Sequence, residues 1–326
     1  MHKRVRFTAL ILVILLVPLG YIPSAKAAMG VRWGYYVGYD RTTSLPSLRA
    51  HVRDLTHVAP WYGYYIDSSA DLVGSGDPQV TDLIRSAGAK VLPMVQNRAR
   101  YADFHRLISA ATTRAKMVSA ISGMVTAGGY HGVHIDFEGL NATDRPYLTS
   151  FVAELYDALH SRGKLLTMAL PAKSYDATTG WAGAYDYARL APHADLFVIM
   201  AYDYHSASSS PGPIAPVSWV RECATYALSQ LGRNKLVVGL PLYGYDWDTT
   251  SGGKATSVKY PDVARLVSLY GATLGYDSVS QSATAAYTKE GHSHRVWYEN
   301  ARSFDSKLAA VRGVGAAGVG VWRLGQ

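Results

Sequence analysis

The sequence predicts an α/β fold, a (β/α)8 TIM barrel with a small α+β insertion between its seventh and eighth strands. Strand-like and helix-like segments alternate over about 290 residues, a pattern that calls for parallel strands joined by helical crossovers. Eight strands can be counted, most of them followed by a helix, and eight such units fill a barrel of roughly 250 residues. The spacing then stretches between the seventh strand, ending near Leu240, and the eighth, near Gly318. An open doubly wound sheet is the rival, but no glycine-rich turn follows the first strand as nucleotide-binding versions require.

Taken in order, Val31–Val37 reads as the first strand, Leu45–Val52 as a short helix and the apolar run Val58–Ile66 as the second strand. A helix from Gln79 to Ala87, a strand Lys90–Gln96 and a helical region Tyr101–Thr126 follow. The fourth strand holds His131-Gly132-Val133-His134-Ile135-Asp136-Phe137-Glu138, in which Val133, Ile135 and Phe137 alternate with His134, Asp136 and Glu138. Helix Thr143–Ser161, strands Leu165–Leu170 and Leu196–Ala201, helix Val217–Leu231, strand Leu236–Leu240 and helix Ala301–Arg312 lead to the eighth strand. The insertion, about residues 243–298, contains a helix-like Asp262–Leu269 and strand-like Ala283–Lys289 and Arg295–Tyr298. In a barrel it would wall one side of the active-site groove.

Period-two alternation puts Asp136 and Glu138 on one face of the fourth strand, with Glu138 at its C-terminal end before Gly139. Two carboxylates about 7 Å apart repel when both are charged, so at least one should hold its proton to higher pH. A general acid at neutral pH is made in this way. The bland alternative is a strand end whose acids are solvated or paired with Lys or Arg. The other strand ends bear on the choice. They carry Tyr35 and Tyr36; Trp61 and Tyr62; Gln96 and Asn97; Met168 and Pro171; Met200, Tyr202, Asp203 and Tyr204; Tyr243 and Tyr245; and Trp322. Aromatics, amides and acids on one rim suit a sugar, whose flat apolar face packs on rings while its hydroxyls take directional hydrogen bonds.

Residues 1–27 stand apart from this core. Lys3, Arg4 and Arg6 precede an apolar run from about Phe7 to Tyr21, and Ala25-Lys26-Ala27 closes it with small residues. That is the pattern of a secretory signal, with cleavage expected after Ala27, a secreted or cell-wall location and no stable membrane insertion afterwards. An uncleaved anchor is the rival, for which the run is short. Of 32 basic residues the signal takes four, leaving 28 against 24 acids, or +4, without a Lys/Arg-rich run of the kind that marks nucleic-acid binding. Cys223 is the single cysteine, so no internal disulfide is possible, and it falls in a helical pattern that favours a core role over a catalytic thiol. No His or Cys spacing calls for a metal, no cofactor is expected, and the remaining catalytic domain, residues 28–326, is expected to act as a monomer.

The motif His131–Glu138 resembles the D-G-x-D-x-D-x-E signature of glycoside hydrolase family 18, the chitinase family. Three further pieces are similar to that family: Met200-Ala201-Tyr202-Asp203-Tyr204, Gly239-Leu240-Pro241-Leu242-Tyr243-Gly244, and Gly318-Val319-Gly320-Val321-Trp322. The run Val296–Ser303 and the ending Trp322-Arg323-Leu324-Gly325 look most like the branch of spore-cortex and peptidoglycan-lytic glucosaminidases. The resemblance implies a retaining glycosidase acting at N-acetylglucosamine in peptidoglycan or chitin, with the substrate's own acetamido group as nucleophile. It implies Glu138 as general acid and base, Asp136 as the carboxylate that orients the acetamido group, Tyr202 as its hydroxyl partner, Asp203 as a tuning acid and Trp322 as the sugar platform. Tyr35, Trp61, Gln96, Met200, Tyr243 and His134 are the further candidates for substrate binding. His131 and His134 depart from the signature's first two aspartates, and His134 is read either as a partner of Asp136 or as a core histidine. A catalytically silent carbohydrate-binding protein is the alternative function, and retention of Glu138 speaks for the enzyme.

Overall fold

The computed structural model describes residues 29–98 and 101–326; the expected signal, residues 1–27, lies outside them. Eight parallel strand positions close into a barrel. The first strand, Val31–Val37, lies between the eighth, Gly318–Trp322, and the second, His57–Trp61, so that Trp33 pairs with Gly320 on one side and His57 on the other. The fourth to seventh strands, Gly132–Asp136, Leu165–Pro171, Leu196–Met200 and Leu236–Pro241, follow in order, and the seventh pairs with the eighth.

The third position completes the ring in two pieces. Lys90–Val91 pairs with the second strand and Met94–Asn97 with the fourth. The single strand expected over Lys90–Gln96 is interrupted because Pro93 has no N–H to give to a ladder. The run Val58–Ile66 also divides, into His57–Trp61 and Tyr64–Ile66, and the second piece pairs with Met94–Asn97.

Two apolar layers hold the barrel. Residues of the strands and crossover helices, among them Val133, Ile135, Phe151, Leu155, Phe197 and Leu240, form the outer layer between sheet and helices. Inside the ring Trp33, Tyr35, Ala59, Leu92, Met94, Val198 and Val237 fill the lumen. Strands buried on both faces need near-continuous apolar sequence, and all six residues of Leu236–Pro241 are buried. Each fully buried large side chain contributes about 1.5–3 kcal/mol. Cys223 belongs to the outer layer, on the helix Val217–Leu231.

Between the seventh and eighth strands, residues 243–298 form a second, antiparallel sheet. Its strands, in spatial order, are Thr256–Lys259, Tyr243–Asp248, His292–Tyr298, Ser282–Lys289 and Thr273–Asp277. The helix Tyr260–Tyr270 covers one face of it, over a core of Val258, Val263, Ala283, Ala285, Val296 and Tyr298. Where the insertion rejoins the barrel, Glu299 and Lys307 make a buried ion pair at 2.9 Å, and Ser303 donates to the same carboxylate oxygen at 2.6 Å. Among the described residues no helix is long and apolar enough to cross a membrane, and no group of three His, Cys, Asp or Glu side chains is placed to hold a metal ion.

Candidate active site

The C-terminal ends of the barrel strands open into one cleft of about 510 Å³. Ten of the eleven candidate residues line it. Tyr35 comes from the first strand, Trp61 from the second, Gln96 from the third, and Asp136 and Glu138 from the fourth; Met200, Tyr202 and Asp203 end the sixth, Tyr243 opens the insertion and Trp322 ends the eighth. Trp322 meets Tyr35 edge to face with ring centroids 5.0 Å apart, giving a rigid aromatic floor. The insertion adds Tyr245, Ser257, Lys259 and Asp262 as one wall. Lys259 reaches across to Asp40, in the turn after the first strand, at 2.8 Å, and Arg323 meets the same carboxylate oxygen at 2.7 Å.

The two acids of the fourth strand differ in surroundings. Asp136 is 5% exposed and its Oδ2 accepts from the Gln96 amide at 2.9 Å. Burial raises its pKa, and the bonds from Gln96 and Glu138 pull it partly back. Glu138 opens onto the cleft, where water reaches it, yet it also sits against Asp136 and Asp203. Burial of its carboxyl first, then the charges of Asp136 and Asp203, push its pKa well above the ordinary carboxylate value. Of the pair, Glu138 is therefore the group that keeps a proton near neutrality.

Asp203 adopts the left-handed region at φ 59°, which a non-glycine residue keeps only where its surroundings fix it. Its Oδ1 accepts from the hydroxyls of Tyr243 and, at 3.1 Å, Tyr245. Burial raises its pKa against these two bonds. Tyr202 is held next to the seventh strand at Gly239: a Cβ there would stand 3.0 Å from the Ile199 carbonyl and 3.4 Å from the Tyr202 ring.

His134 is placed elsewhere than a substrate-binding residue would be. It points into the lumen on the same face as Asp136, but one strand repeat lower, and it has no exposure. Its ring nitrogens meet the Tyr35 hydroxyl at 2.8 Å and Thr167 Oγ1 at 3.0 Å, and neither meets Asp136. His131, half-buried at the base of the same strand, accepts from the Val91 N–H at 3.0 Å.

Two residues outside the expected set hold the acid in place. The Asn97 side chain donates to the Glu138 carbonyl and accepts from the Glu138 N–H, both at 2.8 Å, and so substitutes for a ladder partner where the fourth strand has ended. The Tyr185 hydroxyl donates to the Phe137 carbonyl. Asn97 follows Gln96 at a strand end and is legible as a rim residue, whereas Tyr185 comes from the loop after the fifth strand and carries no periodic signal. Gly139 follows Glu138 at φ 66°, which frees the chain to turn away at once. Replacing Asn97 by Ala is expected to lower kcat about 10- to 100-fold with KM nearly unchanged, because Glu138 loses its angle rather than its chemistry. Steady-state kinetics would show this, and an unaltered kcat would refute the clamp.

Comparison with known proteins agrees with this geometry. The family model described as glycosyl hydrolases family 18 matches residues 31–326. The cortical fragment-lytic enzyme of Bacillus subtilis is 30% identical over 241 residues, which cover 72% of this chain and 56% of that protein, so the chain spans little more than half the length of this relative. The uncharacterized glycosylase YvbX of the same organism is 27% identical over 333 residues, 99% of this chain and 96% of its own. Among solved structures, a chitinase from Chromobacterium violaceum superimposes with a TM-score of 0.84 at 28% identity, covering 91% of this chain and 94% of that one. An eight-stranded barrel with Asp136 and Glu138 at the mouth of its fourth strand, matched over nearly its whole described length, belongs to glycosyl hydrolase family 18.

Proposed function

We propose that the protein is a secreted, retaining glycosidase, acting as a monomer, that hydrolyses β-1,4 bonds at N-acetylglucosamine in peptidoglycan or chitin by substrate-assisted catalysis. The observation that carries this reading is the pairing of a proton-holding Glu138 with a buried Asp136 over the Trp322 floor. Glu138 gives its proton to the glycosidic oxygen as the bond from C1 to that oxygen breaks. The acetamido carbonyl oxygen of the same sugar bonds to C1, while Asp136 holds the acetamido N–H and offsets the positive charge that develops. Water then attacks C1, Glu138 takes the water's proton, and the bond from C1 to the acetamido oxygen breaks. Two inversions at one carbon give net retention. The Tyr202 hydroxyl, whose pKa burial first and then the charges around it raise well above the ordinary tyrosine value, remains a neutral donor to the acetamido oxygen throughout.

Export is supported by the N-terminal pattern of basic, apolar and small residues. Likeness to a cortical fragment-lytic enzyme supports peptidoglycan, and likeness to a chitinase supports chitin. The test is digestion of purified peptidoglycan and of chitooligosaccharides, with products read by mass and the first-formed anomer by proton NMR. A β anomer on either polymer is expected. An α anomer would overturn retention, and binding of both glycans without cleavage would favour the silent carbohydrate-binding protein.

A further inference from the structure

Beneath Asp136 runs a buried chain of hydrogen bonds whose proton directions the geometry assigns. Thr167 Oγ1 has one proton, and it donates that proton to the Val133 carbonyl at 3.0 Å. Toward His134 Nδ1, 3.0 Å away, the same oxygen can only accept, so Nδ1 carries a proton. His134 is fully enclosed by the lumen and is neutral, burial having pushed its pKa to about 3. A neutral imidazole has one N–H, so Nε2 is bare, and the Tyr35 hydroxyl 2.8 Å away must donate to it. Trp33 offers Tyr35 no competing acceptor: its buried indole nitrogen can only donate, from a ring 5.9 Å from that of Tyr35.

The single proton of Tyr35 therefore points down into the barrel, and the phenol oxygen shows only lone pairs to the cleft. We propose that Thr167 and His134 are positioning residues that fix this direction, so that the Tyr35 oxygen presents lone pairs, not its proton, to the part of the cleft where the charges of Asp136 and Glu138 act on it, and Gln96 stays the donor to Asp136. With the opposite histidine tautomer Tyr35 would receive from Nε2, and its hydroxyl proton would turn toward the cleft carboxyls, whose charges already act on it. Around Asp136 stand Glu138 on its own strand, Gln96 on the third, Tyr35 on the first, Tyr202 after the sixth and Tyr185 from the loop after the fifth, while Asp203 acts on Glu138. Gln96 is the donor to Asp136 from outside its own strand, and a Tyr35 hydroxyl dipole reversed toward the carboxylate would stabilise its charge and lower its titration midpoint.

The inference rests on the glycosidase reading for its catalytic meaning, and its test does not depend on turnover. Histidine 15N spectra of the wild-type protein, with His134 assigned by its loss in His134→Gln, report which ring nitrogen is protonated. Carboxyl 13C titration reports Asp136, assigned through Asp136→Asn. Expected are a proton on Nδ1 in the wild type and, in Thr167→Val, its transfer to Nε2 with the Asp136 midpoint lowered by about one pH unit. Thr167→Ser, which keeps the hydroxyl, should restore both wild-type values, and the acid limb of kcat/KM should follow the Asp136 midpoint. A wild-type proton on Nε2, or a Thr167→Val variant whose Asp136 midpoint stays in place, would overturn the proposal. The wild-type spectrum needs no variant beyond the assignment, so the tautomer is decided even where Thr167→Val does not fold. Absence of hydrolysis in the wild type would count against the glycosidase reading and leave both spectra readable.

Discussion

Glu138→Gln is expected to lose about 10²- to 10⁴-fold in kcat on a chitooligosaccharide or on peptidoglycan, the range a positioned general acid supplies. KM should change little, because Gln keeps the size of the side chain and the aromatic rings that line the cleft, Trp322 and Trp61 among them, are untouched. The same substitution should stabilise the fold. Glu138 binds its proton more tightly when folded than when unfolded, so its contribution to stability is present below the ordinary glutamate pKa and is lost as pH rises through the raised value. A glutamine does not titrate, and its advantage grows across that window. Because water reaches Glu138, the gain is discounted to about 1 kcal/mol at neutral pH. Kinetics and thermal melts at pH 5 and pH 8 measure both effects together. Full activity in the variant would remove Glu138 from the mechanism; a melting advantage larger at pH 5 than at pH 8 would reverse the sign of its electrostatics.

Asp136→Asn is expected to cost about 10²- to 10³-fold in kcat, the scale on which loss of one aligned transition-state partner is felt. Its more specific mark is on the pH profile. The charge of Asp136 follows burial as a cause of the raised pKa of Glu138, so neutralising it lets Glu138 lose its proton more easily. The alkaline limb of kcat/KM should move to lower pH, even though a negative charge has been removed at a distance from the substrate's leaving group. An alkaline limb that stays in place would show that the two carboxyls do not share their titration.

The barrel was readable because parallel strands buried on both faces must be apolar almost throughout, and Val31–Val37, Leu236–Leu240 and Gly318–Trp322 announce themselves in that way. The site was readable because strand ends in such a ring converge, so Tyr35, Gln96, Glu138 and Trp322 meet despite their separation in the chain. Legibility failed where the pattern changed owner. Tyr243, Tyr245 and Trp247 alternate with Gly244, Asp246 and Asp248 as a strand should, yet this strand follows directly on the seventh and belongs to the other sheet. The edge strand Thr273–Asp277 is mostly exposed and carries no apolar stripe. His134 lay on the right face, but alternation gives a face and not a depth, and its distance below the rim depends on how Tyr35 and Thr167 pack against it. Lys259 and Arg323 reach the cleft through tertiary bonds to Asp40 that no local period encodes.

The insertion bears on how the ring is assembled. Seventh and eighth strands pair in register, Val237 with Gly318, across the whole of the inserted segment. Within that segment Gly244 pairs with Tyr298, and Thr273–Asp277, Ser282–Lys289 and His292–Tyr298 are successive antiparallel neighbours joined by short turns. A sheet built largely from neighbouring hairpins forms with little loop closure, and once formed it brings its own two ends side by side. The chain entropy of uniting the last two staves is then that of a short connection, and the buried Glu299–Lys307 pair latches the joint where the chain re-enters the barrel. The segment that walls the cleft thus also acts as a clasp, so that closing the ring does not wait on the random meeting of distant strands.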